Sequence, residues 1–384
     1  MSTPVRIGIN TVFLNPHRQG GAETYTRQLV LELLKRSPAE LSPFQFVLFS
    51  PQQSEFLHHP QLRNHSRFEL VLTKANSERK FQRIWWEQTR FPRLLQQHQL
   101  DLMHFPYGTM SVRYPGKSVV TVHDTLRFCF PEQMPLGQRL YRGWNERALR
   151  RENVHVISVS KADANLIHEH LQVPRNRLSV AYHGVSPEFL AESKKSTGRD
   201  LVSIQDPMLL WVGRPYPRKN VEVLFQIVRQ LKTVFGLAPM FTLIGVESTD
   251  RERLQSEVER AQVQELVDLR PPLAHQELPA ELSQFDFFLY PSLYESFGIP
   301  VLEAMAAGIS TLGADIAPFR ELFDEGITLC PASSPNAWAR ELSELCQNAE
   351  RRQKLREQGM KRAQEFTWSR CVDEHLELFR RLTL

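Results

Sequence analysis

Residues 290–308 read YPSLYESFGIPVLEAMAAG, and the fold follows from how that stretch is punctuated. Just ahead of it, the run Phe285-Asp286-Phe287-Phe288-Leu289-Tyr290 has the apolar character of a buried strand. Pro291, Ser292, Gly298 and Pro300 then make a turn-rich loop. Residues 301–307 are apolar and Ala-rich and predict a helix, closed by Gly308 as C-cap. Glu295 lies in the loop, and Glu303, eight positions on, falls in the first turn or two of the helix. Such a strand–loop–helix aims a carboxylate, several backbone N–H groups and a helix N-terminus into one small volume. Helix starts bind phosphate because their first N–H groups lack internal partners and the dipole is positive there. Carboxylates accept hydrogen bonds from sugar hydroxyls. The stretch predicts a ligand that is both phosphorylated and polyhydroxylated.

The same alternation extends over the chain. Apolar strand-like runs fall at 5–10, 45–50, 68–72, 101–105, 118–123, 154–160 and 178–182. A helix is expected over 22–36, with Ala22, Tyr25, Leu29 and Leu33 on one face. Wholly apolar strands such as Val119-Val120-Thr121-Val122 suit a parallel sheet covered on both sides. Residues 188–207 break the pattern: Ser193-Lys194-Lys195-Ser196-Thr197-Gly198 is polar and aperiodic, and reads as a linker. Alternation resumes at 208–213, 241–245, 266–269 and 285–290. Two doubly wound α/β domains are therefore expected, 1–190 and 205–367, with a ligand cleft between them. The last segment, 368–384, reads as a helix that runs back across the first domain.

Composition supports a globular protein: 384 residues, 41% hydrophobic and 23% charged. Residues 1–6 lead straight into a strand, so no signal peptide is expected, and no apolar run is long enough to span a bilayer. Cys129, Cys330, Cys346 and Cys371 are scattered without metal-like spacing, which suits thiols in a reducing cytosol. Residues 1–190 carry 24 Lys and Arg against 15 Asp and Glu, while residues 191–384 carry 23 against 28. A basic half thus precedes an acidic one, and the basic half suits an anionic partner, unless the charge is simply solvated.

Other loops carry chemistry. His17-Arg18-Gln19-Gly20-Gly21-Ala22-Glu23 places two glycines before a helix, where backbone can approach a ligand closely; alone, the pair is equally a plain turn. Neither a G-x-G-x-x-G fingerprint nor a G-x-x-x-x-G-K-[ST] loop is present, which disfavours a dinucleotide dehydrogenase and a P-loop ATPase. His123-Asp124 follows a buried strand, at the end of a sheet where ligands sit. There His123 is expected to donate to a sugar hydroxyl, with Asp124 fixing its orientation. Gly213-Arg214-Pro215-Tyr216-Pro217-Arg218-Lys219-Asn220 follows another strand, and Arg214 and Lys219 supply a fork and a point charge suited to phosphate.

Taken together, Gly20-Gly21-Ala22-Glu23, His123-Asp124, Gly213-Arg214 with Lys219-Asn220, and Glu295-Ser296-Phe297-Gly298 with Glu303 resemble the retaining glycosyltransferases of family four. Ser158-Val159-Ser160, His183-Gly184-Val185 and Phe366-Thr367-Trp368 add minor matches, so the resemblance runs from the first strand to the last helix. It implies the GT-B fold, two Rossmann-like domains facing across a cleft. It implies that Gly20 and Gly21 meet the donor diphosphate, Gly21 through its N–H, and that Arg214 and Lys219 neutralise that diphosphate as leaving group. Glu295, with the N–H groups of Phe297 and Gly298, would hold the transferred sugar. Glu303 would hold the ribose, and the N–H groups of Val301 and Leu302 would meet phosphate; Pro300 has no N–H to offer. His123 would sit beside the transferred sugar. No metal and no other cofactor is implied beyond the nucleotide-sugar co-substrate.

The resemblance further implies hexose transfer from a UDP- or GDP-linked donor to a glycan or lipid-linked acceptor, in cell-envelope or exopolysaccharide assembly. A nucleotide-sugar epimerase of GT-B fold and a non-catalytic sugar-nucleotide-binding protein are the competing readings. Where relatives carry a glycine turn near the base, this chain has Leu269-Arg270-Pro271-Pro272-Leu273, which leaves uracil and guanine both open. Residues 74–93, KANSERKFQRIWWEQTRFPR, interleave basic and aromatic side chains, with Arg139, Arg142, Arg147, Arg150 and Arg151 further on. That pattern suits a peripheral contact with anionic lipid on the cytoplasmic face of a membrane, or else a core helix with basic outer residues. No nucleic-acid module is recognised.

Overall fold

The computed structural model describes residues 3–15, 20–192 and 203–384. The chain divides into two compact units, one of residues up to Gly184 together with Trp368–Leu384, the other of Val185–Thr367.

In the first unit, strands β1 (Val5–Asn10), β2 (Phe44–Pro51), β3 (Phe68–Thr73), β4 (Leu102–Phe105), β5 (Ser118–Val122), β6 (Val154–Ser158) and β7 (Leu178–Val180) form one parallel sheet. Their order is β3-β2-β1-β4-β5-β6-β7. Phe46 and Leu48 of β2 enter one core cluster, while Val47 and Phe49 enter the other. Burial on both faces is why such strands read as unbroken apolar runs. The chain steps outward from β1 to β3, then returns to lay β4 on the other side of β1. Open α/β sheets bind ligands beyond the carboxyl ends of the strands at such a reversal.

The helix Gly21–Lys35 buries Tyr25, Leu29, Val30, Leu33 and Leu34. Beside it packs the helix Trp368–Thr383, whose Trp368, Cys371, Val372, His375, Leu376 and Phe379 are buried at helical spacing. Arg36 fastens the pair: its Nη2 donates to the Ser369 carbonyl (3.0 Å) and hydroxyl (2.7 Å) and lies 2.8 Å from Asp373.

In the second unit β8 (Met208–Val212), β9 (Met240–Ile244), β10 (Val267–Arg270), β11 (Phe287–Tyr290), β12 (Ser310–Ala314) and β13 (Thr328–Cys330) repeat the pattern in the order β10-β9-β8-β11-β12-β13, again parallel. Here the reversal falls between β8 and β11.

The sequence expectation differs from the structure at several places. β12 and β13 were not expected, because Ser-Thr-Leu-Gly-Ala is small and half polar and β13 has only three residues. Residues 185–190 belong with the second unit rather than the first. Val185 donates its N–H to the Phe366 carbonyl (3.0 Å), and the helix Pro187–Glu192 buries Phe189 against the helices Leu278–Leu282 and Ile299–Ala306. The expected linker is therefore helical at its start, while its polar core, Ser193 to Gly198, lies outside the described residues. Strands expected to reach His123 and Gly213 stop at Val122 and Val212, which leaves both residues in loops at the carboxyl ends.

Candidate active site

The second unit gathers its polar groups where the strand order reverses. The loop after β8 ends in a 3-10 turn, Pro217–Lys219, and the loop after β11 carries Glu295. The two loops are tied directly: Leu293 N–H donates to the Arg218 carbonyl (2.8 Å), and the Asn220 amide donates to the carbonyls of Pro291 (3.2 Å) and Ala332 (2.9 Å). This brings the buried Lys219 ammonium onto the largely buried Glu295 carboxylate as an ion pair, with a further bond from Lys219 Nζ to the Tyr290 hydroxyl at 2.9 Å. Burial pulls the Lys219 ammonium below its ordinary value, and Glu295 opposes that shift. Burial also pushes the Tyr290 hydroxyl well up, with the Glu295 charge adding to it. A buried ion pair recovers its desolvation cost only with good geometry. An incoming anion that takes Lys219, and a hydroxyl that takes Glu295, would exchange one set of charge-assisted bonds for another.

Past Glu295 the backbone turns sharply. Gly298 has φ +101°, and a Cβ there would meet the Phe319 ring at 2.6 Å, so only glycine fits before the helix Ile299–Ala306. The far end closes as the expected glycine cap: Gly308 has φ +76°, Gly308 N–H donates to Met305 and Ile309 N–H to Ala304. The N–H groups of Val301 and Leu302 both donate to the Gly298 carbonyl, at 3.0 and 3.2 Å, so they serve the helix rather than standing open to a phosphate. With Pro300 lacking a donor, Ile299 N–H is the one that the helix start presents. Phe297 is core, its ring edge-on to Phe323 and Phe366; only its backbone can serve a ligand. Glu303 is buried, and its Oε1 accepts from His275 Nε2 at 2.8 Å.

Arg214 stands apart from the Lys219–Glu295 pair. Its side chain is 58% exposed, ion-paired with Glu247 beyond β9 and donating to the Tyr216 hydroxyl at 3.2 Å. Hydrogen bonding to Tyr216 and the nearby carboxylates hold its guanidinium more firmly protonated still.

The first unit carries its own set. Gly20 precedes the helix Gly21–Lys35 and its carbonyl accepts from Thr24 N–H (2.8 Å), while nothing lies within 4 Å of where a Gly21 Cβ would sit. His17, Arg18 and Gln19 of the same turn lie outside the described residues. His123 Nε2–H donates to the Pro106 carbonyl at 2.7 Å, across the ends of β5 and β4. A carbonyl only accepts, so the proton is on Nε2, and Nδ1 is left buried without a partner. Burial draws the imidazole down to about 4, so the ring is neutral near pH 7. Two expectations change. Asp124 does not orient His123, because it is held by Arg142 (2.7 Å); and His123, with its N–H committed, offers a lone pair rather than a donor. His183 stacks on His123 at 5.7 Å and Tyr25 meets both rings edge-on.

Sequence reasoning missed His275, Glu247, Arg142 and the Tyr290 hydroxyl, all of which engage a chosen residue. Only Arg142 and Tyr290 carried any signal, as members of stretches already singled out.

The description "Glycosyltransferase Family 4" matches residues 19–189, and "Glycosyl transferases group 1" matches residues 198–362. The chain is 22% identical over 272 residues to O-antigen chain mannosyltransferase B of Escherichia coli, covering 69% of this chain and 71% of that protein. Among solved structures it is similar to sucrose-phosphate synthase from Thermosynechococcus elongatus, with TM-score 0.75, 18% identity and coverage of 98% and 99% of the two chains. It is also similar to Anabaena HepE, solved in complex with UDP-glucose, with TM-score 0.68, 16% identity and coverage of 98% and 99%. With two parallel α/β units and two glycosyltransferase descriptions that between them match most of the chain, the chain belongs to the family-four glycosyltransferases and has the GT-B fold.

Proposed function

We propose that this glycosyltransferase moves a hexose from a UDP- or GDP-linked donor to a glycan or lipid-linked acceptor, with retention at the anomeric carbon and without a metal. The observation that carries this is the Lys219–Glu295 pair, its ammonium buried, at the reversal of the second sheet. One cation and one carboxylate in contact suit a ligand whose phosphate adjoins its sugar. Lys219 would take the diphosphate, with Arg214 swinging from Glu247, and Gly20 and Gly21 approaching it by their backbone. The Ile299 N–H and the helix start would add fixed positive potential. Glu295, with the backbone of Phe297 and Gly298, would hold the sugar hydroxyls; Glu303 would hold the ribose. Val301 and Leu302, buried in the core, would anchor the helix start beneath the phosphate rather than supply donors.

In the transfer, the bond from the anomeric carbon to the diphosphate oxygen breaks. The acceptor hydroxyl oxygen bonds to that carbon on the same face, and its proton passes to the departing phosphate. His123, neutral and held by Pro106, would receive a sugar hydroxyl on Nδ1. The E. coli relative's name, an O-antigen chain mannosyltransferase, supports a place in polysaccharide assembly. HepE's complex with UDP-glucose supports a nucleotide-sugar donor.

Lys219→Ala tests the reading. Calorimetry with UDP and GDP should show at least a tenfold loss of affinity, about 1.4 kcal/mol or more. Equal binding by variant and wild type removes Lys219 from the diphosphate. A donor screen that follows nucleotide release separates a transferase from a silent binder, and activity lost in EDTA and restored by a divalent ion would contradict the metal-free reading.

A further inference from the structure

Glu303 is given the nucleotide ribose in the reading above, on which this inference rests. One of its oxygens is already engaged by His275, at 2.8 Å. His275 stands between β10 and the helix Leu278–Leu282, just past the unusual segment 269–273. Its ring meets Phe189 of the helix Pro187–Glu192 at 5.4 Å, interplanar 64°, so a carboxylate on one side and a buried aromatic on the other fix its direction. The side chain is 33% exposed, so Nδ1 can gain a proton from water while the Nε2 bond stays intact.

The charged groups facing the ring are acids. Glu303 approaches from the helix Ile299–Ala306, and Glu188 from the helix Pro187–Glu192. On the ring's own segment, Glu277 is held by the Ala274 N–H (3.1 Å), and Glu281 is paired with Arg270 (2.7 Å). The bond to Glu303, and then the charges of Glu303 and Glu188, lift the imidazole above its ordinary value against the effect of burial.

We infer that His275 is a positioning residue for the donor nucleotide: it holds one Glu303 oxygen, leaves the other for the ribose, and when protonated offsets the acidic charge beside an anionic ligand. Nucleotide affinity then falls as pH rises through the titration of His275, because the neutral ring keeps its bond but loses its charge.

The probes are UDP and GDP, titrated calorimetrically between pH 6.5 and 9 into wild type, His275→Gln and His275→Ala. Wild type should lose roughly five- to tenfold in affinity across that range, the size of an ordinary coupling between two sites. His275→Gln keeps an N–H for Glu303 and cannot titrate. The nucleotide's own phosphate titrates alike against both proteins and cancels in the ratio, so the variant should lack the extra slope. His275→Ala should bind more weakly at every pH. A slope shared by wild type and His275→Gln, or His275→Ala binding as tightly as wild type throughout, overturns the inference. If Lys219→Ala abolishes binding while the His275 series is flat, this inference alone fails; if neither residue matters, the donor reading fails with it.

Discussion

Glu295 shows how a residue's neighbours change what its removal should do. Were it to touch the sugar alone, its replacement would leave free-nucleotide binding untouched. In the structure it is the counter-ion of a buried ammonium, and so competes with the donor's phosphate for Lys219. Glu295→Gln should cut transfer by roughly a hundredfold or more, as expected for loss of a charged group acting on the reacting sugar. UDP or GDP should bind as tightly as to wild type or more so, because Lys219 no longer has a carboxylate partner. The cost should appear in stability, at roughly 3 kcal/mol, the scale for breaking a buried pair from one side. Nucleotide calorimetry and thermal melts read the two effects separately; weaker nucleotide binding with unchanged stability would contradict the competition.

At the scale of elements, most of what was legible in the sequence came from patterns of burial. β5 declares itself because two-sided burial favours apolar residues on both faces, and β1 because Val5, Ile7 and Ile9 alternate, whereas β12 hides because Leu312 is its one large apolar residue, and at Gly313 the Ile327 and Phe319 side chains leave no room for a Cβ. Glu295 and Lys219 were legible because each follows a strand; that they touch depends on strand order, which periodicity does not record. His275 was silent because nothing local distinguishes it from any loop histidine. The helix Trp368–Thr383 was readable as amphipathic, but not its polar seam. There His375 Nδ1–H donates to the Cys371 carbonyl (2.7 Å), so its Nε2 accepts from the Tyr25 hydroxyl (2.6 Å). Tyr25 in turn meets Thr121 (3.1 Å), and Thr121 meets His104 (2.8 Å). Burial lowers His104, His123, His183 and His375 alike, His123 and His375 to about 4. The unfolded chain takes up these protons first as pH falls. The stability is therefore fully present above about pH 6.5 and is lost progressively toward pH 4, by up to about 3 kcal/mol for each of the two. Glu87 and Glu374, raised by burial, act in the opposite sense. Urea midpoints should thus fall steadily from pH 7 to pH 5, and less steeply in His375→Gln; a flat profile would mean that these rings titrate normally.

For the whole molecule, the division into a basic and an acidic half gains meaning from the surface of the first unit. The helix Lys80–Thr89 packs Trp86 against the core but also buries Arg83, Glu87 and Gln88, while Phe81 and Trp85 are 87% and 59% exposed. Gln88 meets Tyr141 (3.4 Å), and Gln88 and Asn145 both donate to the Met110 carbonyl, which joins this helix to Leu136–Ala148. That second helix exposes Leu136, Leu140 and Trp144. Exposed Arg79, Lys80, Arg90, Arg93, Arg139 and Arg147 flank the two apolar stripes. Among the described residues no helix is long and apolar enough to cross a membrane. An exposed apolar surface flanked by cations instead suits shallow insertion among anionic headgroups, at about 1 kcal/mol for each cation near the surface. A lipid-linked acceptor would then be met where it is anchored. Flotation should carry the protein up with vesicles containing phosphatidylglycerol and leave it behind with phosphatidylcholine alone, with binding weakened by salt. Phe81→Ser with Trp85→Ser, and separately Leu136→Ser with Leu140→Ser, should each reduce flotation while leaving nucleotide affinity unchanged, since both pairs lie far in sequence from the donor groups of the second unit. Flotation that ignores lipid charge, or survives both pairs of substitutions, would assign this surface to something other than a membrane.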